Sequence, residues 1–250
     1  MLSKYLTTLL GLTSVIVFNP VLPVQAEPQV YLEVEGKESL ELNTNTLAIL
    51  ENIGLTLSDV ESTATPAPGF SIGSVLLPPN SDPNVRGTTY TFLYDDDPVL
   101  CVTLGGTEEF LGTFTFEVDT TKLNGLGTQF TIGNFSNSFD EDFNFFVTDT
   151  ANTGLRVFDV ASSGIPNIDL NTLTFVLEGI ELFFSQEFSD LLVNAGATQS
   201  VAGLKFIDSR ADRSLMLVSA STPEPSSILA LILLAGSGIV SRIRQHQKKS

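Results

Sequence analysis

The chain of 250 residues holds one histidine, one cysteine and no tryptophan. The histidine, His246, is the fifth residue from the end of the chain, so the body of the protein has none. That absence excludes Ser-His-Asp and Cys-His catalysis in the body. It also excludes histidine-based zinc or iron sites. A lone Cys101 can form neither an intrachain disulfide nor a thiolate cluster. It sits in the apolar run Val99-Leu100-Cys101-Val102-Thr103-Leu104, which predicts a buried structural thiol. No glycine-rich phosphate loop leads into a helix, since Leu104-Gly105-Gly106-Thr107 carries nothing further of that pattern. Without tryptophan, and with only Tyr31, Tyr90 and Tyr94 in the body, the chain has few flat platforms for sugar rings.

Positive charge is scarce as well. Glu27 to Thr222 carries 28 acidic residues (29 in the chain, less Glu224). It carries 7 basic ones (12, less Lys4, Arg242, Arg244, Lys248 and Lys249). The resulting net charge of about −21 repels nucleic acid and anionic lipid and attracts cations.

What is present begins at the two ends. Met1 to Ala26 has the form of a secretory signal peptide. Lys4 supplies the basic n-region, Leu6 to Phe18 the apolar h-region, and Val24-Gln25-Ala26 the small-residue cleavage site. The alternative is an uncleaved N-terminal anchor, for which the h-region is short and rich in Thr and Ser.

At the other end stand Pro223-Glu224-Pro225, an apolar run from Ile228 to Val240, and then Arg242, Arg244, Lys248 and Lys249. Ser226 to Ser241 is 16 residues, slightly short of the about 20 that cross a bilayer, so the arginines must snorkel to complete a transmembrane helix. Pro225 suits the first helical turn. The basic cluster stays cytoplasmic and turns Pro-Glu-Pro outward. A plain anchor that is never cut, or a buried helix, would also accommodate the apolar run. The three parts in this order resemble the sorting signal of PEP-CTERM exported proteins, over about 30 residues. The resemblance implies an exosortase-type membrane peptidase as partner and processing at Pro223, Glu224 and Pro225. It implies transient residence in the inner membrane, then the cell surface or medium of an exopolysaccharide-producing cell. It implies nothing about the fold of the body.

The body, residues 27–220, reads as strands. Val30, Leu32 and Val34 alternate with Tyr31, Glu33 and Glu35, and Thr113 to Val118 alternates likewise. Thr88–Tyr94, Val99–Leu104, Gln129–Ile132, Phe143–Thr148, Leu155–Val160, Leu173–Leu177, Ile180–Phe184, Val201–Ile207 and Leu215–Ser219 follow. Glu178-Gly179 predicts a bulge or tight turn. Leu42 to Leu57 allows a short helix, Phe188 to Val193 a helical turn, and Glu61 to Pro83 a long loop with one strand at Phe70–Leu76. Short strands with turn residues every 8–14 positions predict an all-β antiparallel β-sandwich, with jelly-roll and Ig-like strand orders both open. Phenylalanines at alternating positions predict core. Asp119–Leu123 and Asp169–Leu173 echo each other, which reads as shared turn chemistry and not duplication.

Carboxylates are the only chemistry left. Asp95 and Asp97, and Asp140 and Asp142, are the candidate calcium ligands, against the plainer reading of solvated turn carboxylates. No cofactor is called for, and calcium is the one ion the loops could hold. Two functional classes stand: a structural or adhesive envelope or matrix protein that binds polysaccharide or calcium, and a secreted carboxylate-dependent carbohydrate-active enzyme. The first is preferred, because no spacing identifies a carboxyl group with a raised pKa beside an ionised partner.

Overall fold

The computed structural model describes residues 28–96 and 99–218. The signal-peptide site at Ala26, the motif Pro223-Glu224-Pro225, the tail residues Arg242, Arg244, Lys248 and Lys249, and Asp97 lie outside the described residues. Among the described residues no helix is long and apolar enough to cross a membrane.

The chain opens with β1 (Gln29–Leu42), α1 (Thr44–Ile53), β2 (Leu55–Val60) and β3 (Ile72–Val75). Then come β4 (Thr91–Asp96), β5 (Val99–Gly105), β6 (Glu108–Glu109), β7 (Thr113–Val118) and β8 (Gln129–Gly133). The rest is β9 (Ser136–Phe139), β10 (Phe145–Thr148), β11 (Arg156–Ser162), β12 (Asn167–Asp169), β13 (Thr174–Phe184), α2 (Gln186–Ala195) and β14 (Lys205–Val218). Strands make up 50% and helix 11% of the described residues, so the all-β expectation holds for them.

Local chemistry sets the boundaries. Asn43 caps α1, its Oδ1 accepting from the amides of Asn45 and Thr46, and Gly54 ends the helix in the left-handed region. Ser185 caps α2 through the amide of Phe188, and Gly196 ends it. Both helices fall where the sequence placed them, and α2 runs longer than one turn. Glu178-Gly179 is a bulge: β13 pairs with β14 on both sides of it, with a register shift between Leu177 and Ile180. Leu173–Leu177 and Ile180–Phe184 are therefore one strand. Part of Val201–Ile207 and most of Leu215–Ser219 likewise belong to the single strand β14. The echo at Asp119 and Asp169 is shared turn chemistry: each carboxylate accepts the amide two residues on, at 3.0 and 2.8 Å.

Eleven strands form one curled antiparallel sheet. Its path runs β1-β14-β13-β11-β10-β9-β6, and β3 pairs with the other edge of β1. The two ends meet where Leu76, just after β3, bridges Phe110, just after β6. The amide of Leu77 donates to the Glu109 carbonyl at 2.7 Å, and that of Leu111 to the Val75 carbonyl at 3.1 Å. Eight strands thus form a closed circuit, with β4 and β5 branching from β1 and β12 from β13. Gly36 permits the close pairing of β1 with β14, since a Cβ there would come within 2.3 Å of the Asp212 carbonyl oxygen.

A second sheet, β2-β7-β8, packs on phenylalanines of the first. Phe114 meets Phe206 edge-on at 6.0 Å, and Phe130 meets Phe188 of α2 at 6.1 Å. Behind them Phe184 stacks on Phe206 (4.8 Å) and on Phe188 (5.0 Å). The expectation that phenylalanines build the core holds for these rings, all of them buried. Phe143, by contrast, is exposed.

Candidate functional site

Part of the curl is filled with phenylalanine and part is hollow. The hollow is a cavity of about 350 Å³ with mostly apolar walls, near the lower end of the roughly 300–1,000 Å³ usual for small-molecule sites. Phe175, Leu177, Ile180 and Leu182 of β13 and Val147 of β10 form one side. Phe92 of β4 and Cys101 and Thr103 of β5 form another. Phe92 reaches Phe175 at 5.9 Å and Tyr90 reaches Phe145 at 5.8 Å, so β4 lies across the curl.

The polar part of the wall is an ion cluster. Arg213 on β14 is only 4% exposed. It is in phase with Ile207, Ala211 and Leu215, so the strand's own alternation turns it inward. Its Nε donates to Glu33 (3.1 Å) and Glu108 (2.9 Å), and its Nη2 to Glu38 (2.6 Å). Nη1 donates to the backbone carbonyls of Lys37 and Asp212. The guanidinium carbon lies 5.0 Å from the Phe110 ring centre. Glu33 and Glu38 are five apart and would point to opposite faces of a regular strand. The register shift between Glu33 and Glu35 brings both to Arg213. Glu108, on the two-residue strand β6, also accepts from the Asn137 amide at 2.9 Å. Ser209 donates to Glu38.

One guanidinium faces three carboxyl groups, and their protonation differs. Burial pushes Glu33 well above the usual carboxylate range, and the neighbouring Glu108 charge pushes it further. Burial raises Glu38 too, against the pull of Arg213. Burial also opposes ionisation of Glu108, but the charge of Arg213 and hydrogen bonds from Glu33 and Asn137 outweigh it and hold Glu108 low. The two carboxyl groups are thus driven apart, Glu33 toward its protonated form and Glu108 toward its ionised form. Burial likewise raises the Tyr90 phenol, which pairs with the Thr103 hydroxyl at 2.8 Å. Among the described residues every buried side-chain nitrogen and oxygen has a partner.

Cys101 corrects the sequence reading: it is exposed, not buried. Position 101 lies on the edge strand β5 and in the lining of a cavity that opens to solvent, so its side chain is reached by water despite the apolar sequence. Partial burial of the sulfur still pushes the thiol up to about 11, which disfavours the reactive thiolate at neutral pH.

The candidate calcium ligands occupy separate settings. Asp95 is buried on β4, opposite Leu100 of β5. Asp140 and Asp142 share the turn between β9 and β10. Asp140 Oδ1 accepts the amides of Asp142 and Asn144, both at 3.0 Å, and Oδ2 lies 3.4 Å from Arg156 Nη1. Those amide hydrogen bonds hold the Asp140 carboxyl below its ordinary range. Among the described residues no group of three or more His, Cys, Asp or Glu side chains is placed to hold a metal ion.

The sequence reading missed the ion cluster, although one signal was present. An arginine in phase with Ile207, Ala211 and Leu215 must be buried, and a buried cation requires carboxylates. Nothing local says which, because Glu33, Glu38 and Glu108 come from β1 and β6. Comparison with protein-family models, curated proteins and solved structures finds no match to this chain.

Proposed function

We propose that the chain is an exported protein of the cell envelope or extracellular matrix, and that its body is a binding module and not a hydrolase. The observation that carries the binding reading is the apolar cavity of about 350 Å³ with a polar cluster in its wall. Export rests on the signal peptide at Met1–Ala26 and on the PEP-CTERM resemblance at Pro223-Glu224-Pro225. An exosortase-type peptidase and the inner membrane are the partners during export. Exopolysaccharide is the neighbour afterwards, met by an acidic exterior. In architectural terms, the three-stranded sheet stacked on the curled sheet through Phe114 and Phe206 is the sandwich part of the fold. The hollow curl is the binding part.

Native mass spectrometry of the protein recovered from the producing cells tests this reading. A bound small molecule, or uptake of one octanol per chain, is the expected result. A chain that carries nothing and takes up no octanol would refute it.

A second reading has one specific observation behind it. Glu33, pushed toward its protonated form, and Glu108, pushed toward its ionised form, both stand in the wall of the cavity and both meet Arg213. Such a divergent pair is what general acid–base chemistry requires, and carbohydrate hydrolysis is the reaction class. The walls argue against it, being phenylalanine and aliphatic and not an open polar cleft. Release of reducing ends from the host's own exopolysaccharide, abolished by Glu33→Gln, would establish the enzyme.

A further inference from the structure

We propose that the cavity takes a small organic cation, an ammonium group on an apolar body, with the ammonium seated against Glu33, Glu38 and Glu108. The inference rests on the binding-module reading and adds the charge class of the ligand.

The argument is one of charge count. Among the described residues, Arg213 is the one cation in contact with Glu33, Glu38 and Glu108. A buried site with that ratio is short of positive charge and makes up the difference with protons. An ammonium group supplies the missing charge directly. As it binds, one carboxyl proton of the cluster leaves for solvent, and the net charge of the site stays the same.

An anion finds no place there. All three guanidinium nitrogens of Arg213 are engaged, by Glu33, Glu38, Glu108 and two carbonyls. A ligand carboxylate would meet three carboxyl groups and no free donor on Arg213. A neutral alcohol could donate one hydrogen bond but would not relieve the charge shortage. The Tyr90 and Phe92 rings also line the cavity, and their faces favour a cation. The Phe110 face is already occupied by Arg213. Cys101 and Ser162 line the cavity and are exposed, which places its mouth beside them. The chain's net charge of −17 draws cations toward that mouth.

Affinity should rise with pH. The titratable and charged groups around the site are Glu33 and Glu38 on β1, Glu108 on β6, Arg213 on β14, Tyr90 before β4 and Cys101 on β5. Tyr90 and Cys101 are both pushed upward and stay protonated. Only the carboxyl protons remain to be displaced, and an alkylammonium keeps its own charge to about pH 10.

The test is calorimetric titration of the full chain, purified without detergent, with octylammonium, octanol and octanoate. Salt at about 0.15 M suppresses adsorption to the acidic exterior. The expected result is saturable 1:1 binding of octylammonium, roughly tenfold or more tighter than octanol, with proton release and tighter binding at pH 8 than at pH 5. Octanoate should not bind. Leu182→Phe and Val160→Phe each fill the cavity at positions that pair with each other and with Ile207 and not with the ion cluster, and each should abolish octylammonium binding while circular dichroism stays unchanged. Octanol binding as tightly as octylammonium would overturn the cation inference and leave the binding module standing. Failure of all three probes would overturn both. Octylammonium binding that survives in both filled variants would mean surface adsorption, and would also overturn the inference.

Discussion

Replacing Arg213 with methionine isolates the energetics of the ion cluster. Methionine keeps an unbranched, polarisable stem near the Phe110 ring and removes the charge. Removing one partner of a buried ion pair costs about 3–5 kcal/mol, because the remaining charge is left uncompensated. Here Glu33, Glu38 and Glu108 all lose the same counterion. They can answer only by taking up protons, so the cost depends on pH. At pH 7 it should be the full about 3–5 kcal/mol, a large part of the about 5–15 kcal/mol that holds a domain. For a chain of this size that lowers Tm by roughly 6–20 °C.

Linkage gives the direction with pH. Glu33 and Glu38 titrate above their ordinary value of 4.5 in the native protein. The native state therefore holds protons that the unfolded chain releases, and their contribution is complete below pH 4.5 and is lost as pH rises through the raised native values. Glu108 titrates low; its contribution is present above pH 4.5 and is lost as pH falls through its native value. In Arg213→Met, Glu108 joins the raised group and the decline with pH steepens. Near pH 4.5 the penalty should shrink to below about 2 kcal/mol, since neutral carboxyl groups do not require the guanidinium. Glu33→Gln is the internal control. A glutamine imitates the protonated acid, donating to Glu108 and accepting from Arg213 Nε, so it should stay within about 1 kcal/mol of wild type at pH 7. Urea unfolding at pH 4.5, 5.5 and 7 measures all three proteins. An Arg213→Met penalty independent of pH, or a Glu33→Gln penalty equal to it, would refute this account of the cluster.

Three further outcomes are expected. Phe184→Ala opens a hole among Phe158, Phe188 and Phe206 and should cost about 3–5 kcal/mol by chemical denaturation; a cost under about 1 kcal/mol would mean the stack is not the core of the fold. Calcium and magnesium at equal concentration should raise Tm equally by screening acidic repulsion, because Asp140 already spends its oxygens on Asn144 and Arg156; a calcium excess lost in Asp95→Asn/Asp97→Asn would restore a specific site. Mass spectrometry of the extracellular protein should find no peptides from Ile228 to Lys249, and finding them would refute cleavage at Pro223-Glu224-Pro225.

The parts of the fold written in adjacent residues were legible. The period-two run Thr113–Val118 is β7 as read, and Asn43 and Gly54 bracket α1 because capping is local chemistry. The bulge at Glu178-Gly179 was visible as bulge or turn. Choosing between them needed the partner strand, since β14 runs unbroken past both halves of β13. The two-residue β6 and the polar β9 (Ser-Asn-Ser-Phe) were missed because their strand character comes from pairing with each other and not from their side chains. In β1 the apolar set Val30, Leu32 and Val34 marked the strand, yet the more buried face carries Tyr31 and Glu33. A glutamate behaves as an inward residue only when an arginine 180 positions away meets it. Sequence periodicity carries no information about such a meeting.

The closed circuit of strands is joined very unevenly. β1 and β14 are laced together from Val30–Val218 to Leu42–Ile207, whereas β3 and β6 meet through Leu76 and Phe110 and the amides beside them. Such a structure opens like a book, with β1 and β14 as the spine and the Leu76–Phe110 line as the fore-edge. Arg213 belongs to the spine but grips Glu108 and the Phe110 ring at the fore-edge, and so acts as the clasp. Whatever draws Glu108 away from Arg213 loosens the covers as well as the charge cluster. The interior is therefore unlatched by the same contact that would recognise what enters it.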